Sequence, residues 1–213
     1  MTKQMEVWTG EFGSNYTARN QFEDASAFNA FYIERFGFSR DELNKLHLDR
    51  IPRNARIVEV GCNVGNQLDA LSRMGFSHLY GVELQQKAVE IAHRNRPGLS
   101  VVQGSAFDLP FRDGFSDIVF TNNVLIHIAP DDLPRVMDEM HRVSRGWIWG
   151  FEYFSPSLVE VNYRGKSNLL WKGDYCRMFL DRFADLSLED ARIYSYKNED
   201  SLADKMYLLK KSA

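Results

Sequence analysis

The chain has 213 residues, 44% hydrophobic, 13% aromatic and 26% charged, which excludes a disordered or low-complexity polypeptide and suits one globular domain. A net charge of -3 supplies no global field for nucleic acid or an anionic membrane, so an anionic partner has to be met by a local basic patch. Two distant cysteines, Cys62 and Cys176, argue against a disulfide scaffold or metal site, and no run of about 18 apolar residues offers a membrane span. The expectation is a cytoplasmic protein with reduced thiols, no signal peptide and no metal.

In chain order, Phe22, Ala25, Phe28, Tyr32 and Phe36 recur at steps of three and four, the period of a helix with one apolar face. Ser39 caps a second short helix over Asp41–Asp49, and Pro52 closes it. From Ala55 the pattern changes to short apolar runs alternating with helical stretches, the form of βαβ units. Strands are predicted over Arg56–Val60, Leu79–Val82, Leu99–Gln103 and Asp117–Thr121, with crossover helices over Gly65–Met74 and Leu84–Arg94. Asp131 or Asp132 starts a helix buried through Leu133, Val136, Met137, Met140 and Val143; Trp147–Tyr153 gives a fifth strand. An amphipathic helix over Asp174–Phe183 and closing strands near Leu188–Tyr194 and Lys205–Leu209 follow. No repeat or linker interrupts this order, so residues 1–213 read as one domain: a helical leader, 1–54, and a core, 55–213.

The stretch Glu59 to Leu68, EVGCNVGNQL, carries a strand ending in Glu59 into a turn made of Gly61, Asn63, Gly65 and Asn66. Glycine lets a backbone approach a ligand closely, and asparagine tolerates left-handed dihedrals. Glu83 ends the second strand roughly 20 residues after the first glycine, where a carboxylate accepts the hydroxyl protons of a ribose. Ser105 and the Ala106 amide follow the third strand and offer the acceptor and donor that an adenine edge needs. Asn122 and His127 follow the fourth strand and face the reacting end of such a ligand.

These four motifs in order, Glu59 to His127, resemble a class I S-adenosylmethionine-dependent methyltransferase. The resemblance implies an α/β fold, a Rossmann-like, mostly parallel seven-stranded sheet with an antiparallel C-terminal strand and added N-terminal helices, and S-adenosylmethionine as cofactor. The flanks, Trp8-Thr9-Gly10-Glu11-Phe12-Gly13, Tyr16, Arg19-Asn20, Val124–Ile128, Glu152-Tyr153 and Tyr163-Arg164-Gly165, resemble the pseudaminic acid biosynthesis-associated methylases. That family carries Lys-Arg-Asp-Phe where this chain has Lys172-Gly173-Asp174-Tyr175.

The resemblance adds Leu84 beside Glu83 to the cofactor set, and gives Tyr16 and Arg19 the cofactor's methionyl carboxylate. Trp8 and Phe12 read as part of a lid. Methyl transfer to a hydroxyl needs a base, and His127, expected to titrate near neutrality, is the first candidate, with Glu152 orienting it or binding substrate. Tyr153, Tyr163, Arg164, Lys166 and Lys172 form the candidate substrate site, their positive charge suiting a carboxylate or phosphate on a small sugar-related acceptor. Two other readings stay open: a nicotinamide-dependent oxidoreductase, against which Asn63 speaks, and a non-catalytic domain that keeps the pocket as a scaffold. Monomer and homodimer are both compatible with the sequence.

Overall fold

Residues 2–212 are described by a computed structural model. The predicted core strands form as β1 (Arg56–Val60), β2 (His78–Glu83), β3 (Ser100–Gln103), β4 (Ser116–Asn122) and β5 (Ser144–Tyr153). A short hairpin, β6 (Val159–Glu160) and β7 (Trp171–Lys172), precedes the closing strands β8 (Leu186–Tyr196) and β9 (Glu199–Lys211). The seven-stranded sheet runs β3-β2-β1-β4-β5-β9-β8. Strands β1 to β5 are parallel, and β9 is antiparallel to β5 and β8.

The parallel strands are apolar on both faces because helices cover both. Ile57, Ile118 and Phe120 point to one layer and Val58, Val60 and Val119 to the other, the period of two that a strand imposes. The first layer holds α3 (Ala25–Phe36), α4 (Arg40–Leu48), α5 (Asn66–Arg73) and α6 (Gln86–Asn95), and the second α7 (Leu133–Val143) and α8 (Tyr175–Arg182). All five residues of the predicted α7 stripe are buried there. Ser39 caps α4 as expected: its hydroxyl accepts from Glu42 N at 3.1 Å while Glu42 returns a carboxylate to Ser39 N at 2.7 Å. The covering helices change face from α5, after β1, to α7, after β4, so connections leave β1 and β4 in opposite directions and open a crevice at their carboxyl ends.

The leader differs from expectation. Residues before Phe22 form two helices, α1 (Lys3–Thr9) and α2 (Glu11–Arg19), joined at Gly10. No apolar stripe announces them. They pack because a Cβ on Gly13 would stand 1.8 Å from the Trp8 carbonyl oxygen, an approach open only to glycine. The β6–β7 hairpin also went unread, since two-residue strands leave no alternation to detect. Among the described residues no helix is long and apolar enough to cross a membrane.

Close packing sets a first test. A Cβ on Gly150, in the middle of β5, would meet the buried Tyr207 ring at 2.3 Å. Gly150→Ala is expected to destabilise the fold by about 3 kcal/mol through overpacking. An unchanged denaturation midpoint would show that the ring relaxes freely.

Candidate active site

At the crevice lies a cavity of about 230 Å³, bounded by the ends of β1, β2 and β4, the loop after β3, and helices α1 to α3. Its base is the turn after β1. Gly61, Asn63 and Gly65 all take left-handed dihedrals, with φ of 72°, 47° and 80°. A Cβ on Gly61 would sit 2.7 Å from Val124 Cγ2, so this glycine is needed for both conformation and space. The turn is pinned by Glu83, whose Oε2 accepts from Asn63 N and whose Oε1 accepts from Gln85 N, both at 2.8 Å. Each oxygen keeps a second lone pair, so the carboxylate is held in place with acceptor capacity to spare.

Among the described residues, four buried polar atoms on cavity residues lack a protein partner: Trp8 Nε1, Glu59 Oε2, Asn63 Oδ1 and Gln67 Oε1. A buried polar group left unpaired costs about 1–3 kcal/mol, which marks these as places where a ligand completes the hydrogen bonding. Burial raises the Glu59 carboxyl well above its ordinary range; the cation of Arg40 opposes the rise and Glu83 adds to it. A cationic ligand group beside Glu59 would hold it ionised. These donors and acceptors, with Glu83 and the glycine turn, fit S-adenosylmethionine, which carries ribose hydroxyls, an ammonium and an adenine edge.

Leu84, Ser105, Ala106 and Phe107 line the far end, where the base would lie. Ser105 Oγ accepts from Phe107 N at 3.2 Å, which bends the loop toward the cavity. Asn66 also lines the cavity and ties leader to turn, donating to Asn20 O at 2.8 Å.

The other end is walled by Trp8, Tyr16, Phe28, Phe31, Tyr32 and His127. His127 sits in the 3₁₀ turn Leu125–His127, 8% exposed, with its ring 4.5 Å from Trp8 and 5.4 Å from Tyr163. Its Nδ1 is 2.8 Å from Leu169 O; a carbonyl only accepts, so Nδ1 carries the proton and Nε2 the lone pair. Burial pushes the imidazole down to about 4, so it is neutral at pH 7 rather than titrating near neutrality as expected. Burial likewise raises the Tyr16 phenol. Asn122 lines the cavity from β4, its Oδ1 accepting from Arg40 at 3.0 Å.

Several expected site residues lie elsewhere. Arg19 is exposed on α2, because Tyr16 and Asn20, four residues apart, take the helix face that meets the cavity. Gly65 shapes the turn from outside, accepting Asp69 N at the start of α5. Glu152 is 1% exposed beneath the loop after β4, receiving Val124 N at 3.3 Å and Ile126 N at 3.4 Å. It supports that loop rather than facing a substrate. Tyr163 packs on Phe12 behind His127, and Arg164 and Lys166 are exposed on the turn that Tyr163 and Lys166 close. Lys172 covers the Tyr153 ring at 4.7 Å, away from the cavity walls. The β6–β7 hairpin carries the basic stretch to the outside. Sequence reasoning missed Arg35, at the cavity mouth, and Arg40, fully buried behind Asn122. The only available signal was a cation three or four residues from Phe31, Tyr32 and Phe36 on otherwise apolar turns.

Burial without a cation pushes Glu152 up to about 8. A carboxyl raised in the fold stabilises fully below its ordinary value near 4.5 and loses that contribution as pH rises through about 8. Glu152→Gln, which cannot ionise, is therefore expected to lose less stability than the parent between pH 6 and 9. The difference should reach roughly 5 °C in midpoint, at ~2–4 °C per kcal/mol for a chain of this size. Parallel thermal curves across that range would show that Glu152 does not titrate there.

Residues 58–147 match the family model described as a methyltransferase domain. The chain is similar to the ribosomal protein L11 methyltransferase of Caldanaerobacter subterraneus, 33% identical over 115 residues, covering 49% of this chain and 37% of that protein. It is similar also to a probable phthiotriol/phenolphthiotriol dimycocerosates methyltransferase of Mycobacterium ulcerans, 31% identical over 116 residues, covering 49% and 44%. The chain thus spans less than half the length of these relatives. Among solved structures, Burkholderia thailandensis 1,6-didemethyltoxoflavin-N1-methyltransferase, with bound 1,6-didemethyltoxoflavin and S-adenosylhomocysteine, aligns with 100% of this chain and 92% of its own. Its TM-score is 0.71 at 16% identity, a likeness of fold. The sheet order and the strand-end cavity share the fold of that solved methyltransferase, and residues 58–147 match a methyltransferase domain.

Proposed function

We propose that the protein is an S-adenosylmethionine-dependent methyltransferase acting on a small, polar, anionic acceptor that is sugar-related, of the nonulosonic acid class. The observation that carries the reading is a single cavity. It joins a nucleoside end, with Glu83, Leu84, Ser105 and Ala106, to an aromatic end holding neutral His127. The cofactor supplies an activated methyl group when bound. Glu83 would take its ribose hydroxyls, Glu59 and the Gly61–Asn63 turn its amino-acid part, and the loop after β3 its base.

The chain's own work is to align the acceptor and exclude water. Trp8 and Tyr16 close the cavity from the leader, their rings 5.2 Å apart. His127 Nε2 accepts the hydrogen bond of the acceptor hydroxyl and takes its proton. A hydroxyl oxygen becomes strongly acidic as it gains a methyl group, so a base as weak as this imidazole suffices. Leu169 O keeps the proton on Nδ1 and thus the correct tautomer. The sugar-acid class is supported by the resemblance of the flanks and by a cation, Arg35, at the cavity mouth.

The test is incubation with S-adenosylmethionine and a panel of sugar acids, amines and lipids, reading S-adenosylhomocysteine release and a mass gain of about 14 Da in the acceptor. Methylation confined to a lipid or a protein would remove the sugar-acid reading. Cofactor binding without turnover across the panel would favour the scaffold.

A further inference from the structure

A second cleft of about 280 Å³ opens beside the first, lined by Phe31, Glu34, Arg35, Tyr196, Asn198 and Glu199. Phe31 and Arg35 line both, forming a shared wall. The Arg35 guanidinium lies between two rings, 4.5 Å from the centre of Phe31 and 5.0 Å from that of Tyr196. That clamp is anchored. Tyr196 donates its hydroxyl to buried Asp204 at 3.0 Å, and Lys197 N donates to Arg35 O at 2.8 Å, tying the β8–β9 hairpin to α3. Stacking covers the flat faces of a guanidinium and leaves its N–H edge to donate. Among the described residues, Arg35 has no side-chain hydrogen bond and no carboxylate at ion-pair distance.

We propose that Arg35 anchors the methyl acceptor by a bidentate pair with its carboxylate, while the second cleft holds the hydroxyl-bearing remainder and one hydroxyl reaches His127. This rests on the methyltransferase reading of the main cavity. The planar fork of a guanidinium matches a carboxylate edge to edge. Glu34 and Glu199 on the cleft wall accept hydrogen bonds from hydroxyls but repel the further negative charge of a phosphate or diphosphate. Asn198 adds both a donor and an acceptor. The ligand class is therefore a free sugar acid rather than a nucleotide-linked one.

The test uses the full chain saturated with S-adenosylhomocysteine and titrated calorimetrically with N-acetylneuraminate, its methyl ester and its cytidine monophosphate conjugate. Arg35→Met keeps length and stacking but removes the fork; Arg35→Lys keeps charge without the fork. Neuraminate is expected to bind the parent, and to bind Arg35→Met at least tenfold more weakly, with Arg35→Lys between them. The ester should be weakened as much as the methionine variant, and the conjugate should bind less well than the free acid. Both variants should still bind S-adenosylhomocysteine; were Arg35→Met to lose it, the lysine variant carries the comparison. Equal affinity for acid and ester, equal affinity of parent and variants, preference for the conjugate, or no neuraminate binding to the saturated parent would each overturn the proposal. Failure of S-adenosylhomocysteine itself to bind the parent would instead sink the cofactor reading and this one with it.

Discussion

Replacing Glu83 with alanine is expected to weaken S-adenosylhomocysteine binding about 100-fold, roughly 2.7 kcal/mol, because hydrogen bonds to a charged group contribute ~1.5–3 kcal/mol each. Two effects converge on this side chain. The carboxylate presents the acceptor lone pairs for the ribose, and it also holds the Asn63 and Gln85 amides at 2.8 Å, so its loss loosens the glycine turn. Burial raises the Glu83 carboxyl, with the Gln85 and Asn63 amides pulling it back. Glu83→Gln, which keeps one oxygen but sets an NH₂ against an amide donor, should fall between parent and alanine variant. Titration calorimetry measures both, with melting of the unliganded proteins as the control for folding. Affinity equal to the parent's in Glu83→Ala would take this residue out of the site.

The second large effect is expected on turnover. His127→Asn places an amide nitrogen where Nδ1 stood, so the bond to Leu169 O can persist while Nε2 and its lone pair disappear. Turnover should fall by about 100-fold, the lower range for a lost general base, with S-adenosylhomocysteine affinity nearly unchanged. Equal losses in both would mark a structural histidine. The pH profile gives an independent reading. Since burial depresses the imidazole to about 4, its activity limb belongs near pH 4, below the ordinary value of 6.5. The sign for stability follows the same shift: the unfolded chain binds the proton first as pH falls below 6.5, so this group weakens the fold between 6.5 and about 4. An activity limb at 6.5 in the parent would mean that the histidine is wetter than its 8% exposure indicates.

The half that carries β1 to β4 was legible because its signals are local. Apolar runs of four to seven residues, glycine and asparagine at left-handed positions, and Glu83 at the end of β2 each declare themselves within a few residues. The substrate side was not. Arg164, Lys166 and Lys172 looked like a basic binding loop, yet the Tyr163–Lys166 turn and the β6–β7 hairpin carry them outward, a direction set by contacts far along the chain. Glu152 stands at the predicted strand end, but the loop after β4 folds over it.

By itself, then, the amino-acid order determined the alternation of strands and helices and the turn residues at the base of the cavity, since backbone sterics and periodicity act over a handful of positions. Only tertiary structure decided which cations meet the cavity. Arg35 gained its place from the packing of α3 against β8, and Arg19 lost its own to the helix face that Tyr16 and Asn20 occupy. The reason is physical: where a side chain ends up depends on which elements pack against each other, and neither a period nor a motif encodes that.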